Sequence, residues 1–334
     1  MRFGAVPLDE AQGAVLAHSV ALPGGRLRKG LVLGATEIAD LAAAGHREVM
    51  AARLDPGDVP EDAAAARLAQ ALVPDERTSL LARSSAFTGR VNLNATLPGL
   101  VMLDAGRIHA LNRIDPAITL ATLAPLARVE PGMLVGTVKI IAYAVEETAL
   151  AQAEALARGA LSVLPVVRRS AGLLLTEVPG QEAKLAAKGR RAVEKRLAAL
   201  GMELAGVEVT AHETGPMAEA LARLPGEMLL ILTGSATSDV RDTGPEALRH
   251  AGGEVARFGM PVDPGNLLFH GRLGPRPVIG LPGCARSPAL NGADWVLERL
   301  ACGLEVDDAA IAAMGVGGLL KEIPLRPQPR ERRA

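Results

Sequence analysis

Residues 228–250 read MLLILTGSATSDVRDTGPEALRH, and this stretch decides the fold of the C-terminal half of the chain. Its first five residues are continuously apolar, which is typical of a strand buried on both faces of a parallel sheet. Glycine and hydroxyl residues follow, and Asp242 then stands where a helix beginning at Thr243 needs its cap. The stretch therefore predicts a buried strand, a loop and a helix in succession.

The same succession extends upstream, where apolar runs alternate with amphipathic stretches from Ser162 onward. In order, these segments are VLPVV, GLLLTEV, a helix at 181–200, VEVTAH, a helix at 217–224 and MLLILTG. Strands that alternate with helices predict an α/β fold, here with a parallel sheet covered on both faces in three layers. We place this domain at 159–310. Ligands in such folds bind beyond the carboxyl ends of the strands, so the loops after Leu175, Leu232 and Leu281 are candidate site loops.

The rest of the chain follows a different pattern. Residues 1–158 contain short apolar runs separated by turn signals, with helices predicted at 36–44, from 61 and from about 74. This pattern predicts a mixed α+β domain that is rich in strands. Residues 311–334 end in a Pro- and Arg-rich sequence, so we expect a C-terminal arm and tail there.

Composition excludes several classes of function. A net charge of -1 and 2% aromatic residues provide neither the positive field nor the stacking surfaces that nucleic-acid binders use. No apolar run reaches the roughly 18 residues that a membrane span needs, and the N-terminus has no signal-peptide pattern. The cysteines, Cys284 and Cys302, have no metal-ligand spacing. We therefore expect a soluble cytoplasmic protein with neither a nucleic-acid nor a membrane partner.

The loop after Leu232 is the strongest candidate for a ligand site. It offers several backbone N–H groups and side-chain hydroxyls at a helix start, which is what a phosphate cradle requires. The candidate residues are Thr233, Gly234, Ser235, Ala236, Thr237, Ser238, Asp239 and Asp242. An ordinary strand-to-helix turn, with Asp242 beside the helix dipole, explains the same residues equally simply, so both interpretations stay open.

Three motifs in this half resemble the molybdopterin-binding domain shared by gephyrin, the molybdopterin adenylyltransferases and the molybdopterin molybdenumtransferases. The first is Thr233-Gly234 with Asp242 at the family's spacing, although Ser235 replaces the usual second glycine. The second is Pro264-Gly265-Asn266, and the third is Pro282-Gly283-Cys284 followed by Arg286 and Ser287. The third motif also resembles a bacterial subgroup whose members are often fused to a cofactor cytidylyltransferase-like domain.

This resemblance implies that the chain binds molybdopterin or the molybdenum cofactor by its pterin phosphate and acts in cofactor biosynthesis or maturation. It also implies a homo-oligomer, either a dimer or a trimer. One alternative is a Mg²⁺-dependent transferase that acts on molybdopterin and a nucleotide, with Asp242 as the catalytic, Mg²⁺-holding residue. The other is a non-catalytic carrier that serves a cytidylyltransferase or a molybdenum hydroxylase.

Departures from the family pattern favour binding over molybdenum insertion. Asp263 and Asn266 stand where the molybdenumtransferases have lysines, and Cys284 stands where they have asparagine. Molybdate is an anion, so the loss of two lysines predicts weaker binding of molybdate. Cys284 is either a nucleophile or soft-metal ligand, or simply a small buried residue.

Two further interpretations concern arginines. Arg286 is predicted to contact the phosphate or the pterin, because it lies beside a site loop and a guanidinium matches phosphate bidentately. A structural ion pair is the alternative for this residue. Arg190, Arg191, Lys195 and Arg196 lie on one predicted helix, where we expect them to form a solvated face.

Overall fold

The structure is a computed structural model that describes residues 1–180 and 183–320. Contacts divide the chain into two compact units. The first comprises Met1–Leu97 and Val101–Leu164, and the second comprises Pro98–Leu100 and the chain from Pro165 onward. Of the predicted C-terminal arm and tail, residues 321–334 lie outside the described residues. The domain boundaries at 158 and 310 stay a proposal.

The first unit begins with short strands around one helix. These elements are β1 (Arg2–Pro7), β2 (Val15–Leu16), β3 (Val20–Leu22), β4 (Gly25–Leu27), α1 (Ala35–Ala43) and β5 (Glu48–Arg53). Strands β1, β5 and β2 form an antiparallel sheet, and β3 pairs with β4 as a hairpin. Leu16, Leu33 and Leu41 are buried between the sheet and the helix, which gives this part its own small core.

The remainder of the first unit has a larger core. Its elements are β6 (Asp58–Pro60), α2 (Glu61–Leu72), α3 (Glu76–Ser79), β7 (Leu81–Arg83), β8 (Arg90–Ala95), β9 (Gly99–Leu103), α4 (Ala105–Leu111), β10 (Ile118–Thr122), β11 (Arg128–Val129), β12 (Leu134–Ile140), β13 (Ala144–Glu146), α5 (Glu147–Ala157) and β14 (Leu161–Pro165). Helix α2 buries Leu68, Leu72 and three alanines, and small side chains let a helix pack closely. The helix predicted from about 74 is only the four-residue α3, because Leu80 adopts a left-handed conformation that ends it.

The second unit is built on a six-stranded sheet. Its elements are β15 (Ser170–Glu177), α6 (Ala183–Ala199), β16 (Glu203–Ala211), α7 (Thr214–Arg223), β17 (Met228–Leu232), α8 (Thr243–His250), β18 (Glu254–Phe258), β19 (Phe269–Leu273), β20 (Arg276–Gly280), α9 (Gly292–Ala301) and α10 (Asp308–Ala313). The strand order is β16-β15-β17-β20-β19-β18. The α/β class is as the sequence predicts.

Side chains of β17 alternate between two buried clusters. Leu230 and Leu232 belong to a cluster that includes residues of α6 and α9, whereas Leu229 and Ile231 belong to one that includes residues of α7 and α8. A strand with both faces buried has no polar face, and this explains the continuous apolar run from which the fold is predicted.

The fully parallel sheet predicted from the sequence needs one correction. Strands β16, β15, β17 and β20 pair in parallel, but β19 pairs antiparallel with both β20 and β18. Only Gly274 and Pro275 separate β19 from β20, and a two-residue link can form a hairpin but not a crossover. The sheet is therefore mixed, with a single reversed strand.

A close contact fixes the pairing of the reversed strand. Phe269 on β19 lies opposite Gly280 on β20, and a Cβ added at Gly280 would come within 1.9 Å of the Phe269 ring. Gly244, at the start of α8, lies on the same ring, with a Cβ position 3.2 Å away. Glycine at these positions makes room for the aromatic ring in the core.

Candidate functional site

All three loops that resemble the molybdopterin-binding motifs lie at one edge of the six-stranded sheet. The loop at 233–242 follows the carboxyl end of β17, and the segment at 282–287 follows that of β20. Because β19 is reversed, its first residue, Phe269, pairs with both Phe258, the last of β18, and Gly280, the last of β20. The loop at 259–268 therefore reaches the same edge.

The loop after β17 is held by hydrogen bonds near its start. The Thr233 side chain is buried, and its hydroxyl donates to the carbonyl of Ser235 at 2.5 Å. The Gly234 N–H donates to the hydroxyl of Thr176, at the end of β15, at 2.8 Å. Thr237 is also buried, whereas the remaining predicted contacts are open to solvent. These exposed residues are Ser235, Ala236, Ser238 and Asp239.

Asp242 closes this loop. One carboxylate oxygen accepts the N–H of Ser238 at 2.8 Å, and the other accepts the N–H of Thr243 at 2.7 Å. Burial alone would raise the pKa of Asp242, but these two backbone donors and the nearby His212 outweigh it and hold the pKa below its ordinary value. One oxygen thus holds the loop and the other caps the helix. This is the structural role that the sequence offers as the alternative to ligand binding.

Arg286 joins the loops that follow β17 and β20. Its Nη2 donates to the carbonyl of Thr233 at 2.6 Å. Its Nε is buried, and within 1–180 and 183–320 it has no hydrogen-bond partner. Burial lowers the pKa of this guanidinium. No carboxylate pairs with Arg286 in that part of the chain, so the structural ion pair considered from the sequence is not formed there.

A small pocket opens beside the Arg286 side chain. It has both apolar and polar walls, and it lies at the ends of the neighbouring strands β15 and β17. Its lining is Leu175, Thr176, Glu177, Leu185, Ala186, Leu232 and Arg286. A guanidinium, a hydroxyl and a carboxylate together offer donors and acceptors to a polar ligand.

Cys284 is exposed, not a small buried residue. The side chain of Asn291, which is 1% exposed, donates from Nδ2 to the Cys284 sulfur at 3.0 Å. Pro282 is buried, whereas Gly283 and Ser287 are exposed on the same turn.

The loop at 264–266 contacts the start of α9. The Gly292 N–H donates to the carbonyl of Pro264 at 2.8 Å, and Gly265 adopts a φ of 147°. A Cβ at Gly265 would lie 2.9 Å from the Gly292 nitrogen, so the two backbones need glycine to approach this closely. The Asn266 side chain donates to the carbonyl of Met260 at 3.3 Å, within its own loop.

Three residues at this edge were missed by the sequence prediction. Thr176 contacts Gly234 and also lies 3.0 Å from His212 Nδ1, at the end of β16. Arg196 was predicted to lie on a solvated face, but its side chain is only 10% exposed and pairs with Asp294. The loop after Leu175 was predicted as a candidate site loop. No motif in the sequence, however, marks Thr176 or His212 as residues that meet at this edge of the sheet.

Among the described residues no group of three or more His, Cys, Asp or Glu side chains is arranged to hold a metal ion. A role for Asp242 with Mg²⁺ stays a prediction. Within the same residues no helix is long and apolar enough to cross a membrane.

The model of one family, described as a domain of unknown function (DUF8806), matches residues 5–53, in the first unit. No curated protein matches the chain. Among solved structures, the chain is similar to the molybdopterin biosynthesis MoeA protein from Pyrococcus horikosii, with 13% identity and a TM-score of 0.32 over 90% of this chain and 75% of that chain. A likeness at this TM-score carries no argument about function.

Proposed function

We propose that the second unit binds molybdopterin, or a nucleotide derivative of it, at the carboxyl edge of its sheet as a step in molybdenum-cofactor biosynthesis or maturation. Support comes from the three motifs, which resemble one family and lie on loops at one edge. The phosphate would contact the loop at 233–242 and Arg286. Gly265, Asn266, Cys284 and Ser287 would complete the surroundings of the pterin.

The burial and the incomplete hydrogen bonding of Arg286 are the main support for this proposal. A half-buried guanidinium loses hydration, and a carboxylate or another anion normally compensates for that loss. Arg286 instead donates from Nη2 to the Thr233 carbonyl and, at 3.5 Å, from Nη1 to the Gly283 carbonyl, and its Nε has no partner in the described chain. An anionic group at the mouth of the pocket would restore the missing compensation, and phosphate matches the guanidinium fork best.

The position of Asp242 favours binding without catalysis. Its two oxygens already accept backbone donors, so they shape the loop and are not directed as a pair at a metal ion. We therefore prefer a carrier that passes the pterin to a cytidylyltransferase or a molybdenum hydroxylase. The alternative, Mg²⁺-dependent nucleotidyl transfer, predicts turnover of molybdopterin with ATP or CTP. A cytoplasmic homo-oligomer remains part of the proposal.

Anaerobic titration by pterin fluorescence tests the binding. The wild type should bind molybdopterin saturably, and it should bind the same pterin without its phosphate much more weakly. Arg286→Gln should weaken molybdopterin binding by about tenfold or more, because a charge-assisted hydrogen bond is worth about 1.5–3 kcal/mol.

Arg223→Gln is the matched control, since Arg223 is 59% exposed on α7 and this variant also removes one positive charge. Equal losses in both variants would mean that net charge, not the Arg286 site, determines affinity. Absence of saturable binding to the folded wild type would refute the proposed function.

A further inference from the structure

The guanidinium of Arg196 is occupied by the backbone of a neighbouring loop. Its Nη1 donates to the carbonyl of Ala285 at 2.8 Å, and its Nη2 donates to those of Ser287 at 2.9 Å and Ala289 at 3.3 Å. Its Nε donates to the carboxylate of Asp294. All three nitrogens of one arginine on α6 therefore hold a segment that lies nearly a hundred residues further along the chain.

The far end of the same segment is closed by Asp294. Its other oxygen accepts the N–H of Asn291 at 2.8 Å, which forms a capping box at the start of α9. Asn291 in turn donates to Cys284 at 3.0 Å. A chain of hydrogen bonds thus links Arg196 to Asp294, Asp294 to Asn291, and Asn291 to Cys284. These bonds hold the segment at 284–294 at both of its ends.

Arg286 lies between two of the carbonyls that Arg196 binds, those of Ala285 and Ser287. Fixing the backbone on both sides of a residue restricts where its side chain can point. Arg286 reaches the Thr233 carbonyl across the sheet edge while its side chain lines the pocket. A long side chain that is held in place before the ligand arrives loses less entropy on binding.

We propose that Arg196 is a positioning residue, which orders the segment at 285–289 and so directs Arg286 toward an anionic ligand. This inference rests on the proposed function for the direction of Arg286. It goes further by assigning the geometry of the site to a side chain that is not part of the pocket lining.

Arg196→Lys is the informative variant. Lysine keeps the positive charge for the ion pair with Asp294, but its three N–H donors lie on one atom, so it cannot hold Asp294 and three separate carbonyls at once. Arg190→Lys is the matched control, because Arg190 lies on the same helix and its Nε makes an exposed ion pair with Glu194. Asp294→Asn separates the two contributions, since it removes the ion pair, keeps one oxygen for the capping box with Asn291 and leaves the carbonyl contacts of Arg196 in place.

Two measurements report how well the segment at 285–289 is ordered when no ligand is present. One is the rate at which a disulfide reagent modifies Cys284, which is exposed, whereas burial raises the pKa of Cys302 to about 12 and slows its reaction. The other is tryptic cleavage after Arg286, followed by mass spectrometry of the fragments. Both rates should rise several-fold in Arg196→Lys and stay at the wild-type value in Arg190→Lys.

The third readout is the affinity for molybdopterin, which should fall about tenfold in Arg196→Lys, as expected when one or two hydrogen bonds are lost. The inference would be overturned if Cys284 modification and cleavage after Arg286 are no faster in Arg196→Lys than in the wild type. It would also be overturned if both are faster while the affinity for molybdopterin is unchanged. If only Asp294→Asn opens the loop, the ion pair and not the fork orders the segment, and the inference is wrong. If the wild type binds no molybdopterin, the proposed function fails, while the two loop rates still decide whether Arg196 orders the segment.

Discussion

The amide of Gly234 donates to the hydroxyl of Thr176 over 2.8 Å, and this bond ties together the ends of two neighbouring parallel strands. The Thr176 side chain is 4% exposed, and the same hydroxyl lies 3.0 Å from Nδ1 of His212, at the end of a third strand. One hydroxyl thus connects the ends of β15, β16 and β17, next to the candidate loop at 233–242.

Replacing this hydroxyl with a methyl group should be costly. Thr176→Val keeps the shape of the side chain but leaves the Gly234 N–H without its acceptor, and an unsatisfied buried donor costs about 1–3 kcal/mol. Unfolding in urea, followed by the fluorescence of Trp295, measures the second unit alone, because Trp295 is the only tryptophan in the chain. Thr176→Ser is the control and should unfold nearly as the wild type does. A Thr176→Val protein of full stability would contradict the role of this bond.

Asp242 should behave as a cap. Asp242→Ala removes the acceptor for the N–H groups of Ser238 and Thr243, and the loss of a capping side chain costs about 1 kcal/mol. Because the pKa of Asp242 is held below its ordinary 3.8, its stabilising effect is complete above that value and disappears as the pH falls through the lowered pKa. Wild type and Asp242→Ala should therefore differ in unfolding free energy at pH 7 and converge in strong acid. A difference that is constant with pH would exclude this explanation.

Gly265→Ala tests the close approach between the loop at 264–266 and the start of α9. An alanine there must adopt a φ of 147° with its Cβ 2.9 Å from the Gly292 nitrogen, so we expect a loss of more than about 1 kcal/mol. Gly215→Ala is the control, because a Cβ at that helical glycine meets nothing within 4 Å. If both alanine variants unfold at the same urea concentration, the two backbones do not require glycine.

His270 should make the second unit sensitive to acid. It is 5% exposed on β19, and its Nε2 has no hydrogen-bond partner in the described part of the chain. Burial, helped by Arg257 and opposed by Asp308, lowers the pKa of His270 below its ordinary 6.5. The unfolded chain then takes up a proton first, so stability is complete above pH 6.5 and falls as the pH drops below it.

His270→Gln should reduce this loss between pH 7 and pH 5, as measured by Trp295 fluorescence in urea. His250→Gln, at an exposed position on α8, should keep the wild-type dependence on pH. Parallel pH profiles for His270→Gln and the wild type would show that another group is responsible.

The sequence predicts the second unit well where local chemistry determines structure. The apolar run at 228–232, the cap at Asp242 and the helices of the strand–helix repeat are specified by residues close to one another in the chain. The reversal of β19 was missed because no strand was predicted at 269–273; with a strand there, the two residues that separate it from β20 allow only a hairpin.

The contacts of the site could not be predicted in the same way. Thr176 and Gly234 are 58 residues apart, and Arg196 and Ala285 are 89 apart. No local pattern marks such pairs, since only the strand order and the packing of α6 bring them together. A charge pattern on a helix predicts a solvated face for Arg196, and the loop that covers this arginine is not visible in the helix sequence.

The single reversed strand also decides where this protein can diversify. A loop between a strand and its helix, such as 233–242, must deliver the chain to a fixed helix start. The loop at 259–268 joins two antiparallel neighbours and is held against α9 at Pro264 and Gly265, but Asn266 and Leu267 are exposed, and the entropy of closing a loop grows only slowly with its length. Insertions in this exposed part of the loop would therefore leave the strand order and the helices unchanged.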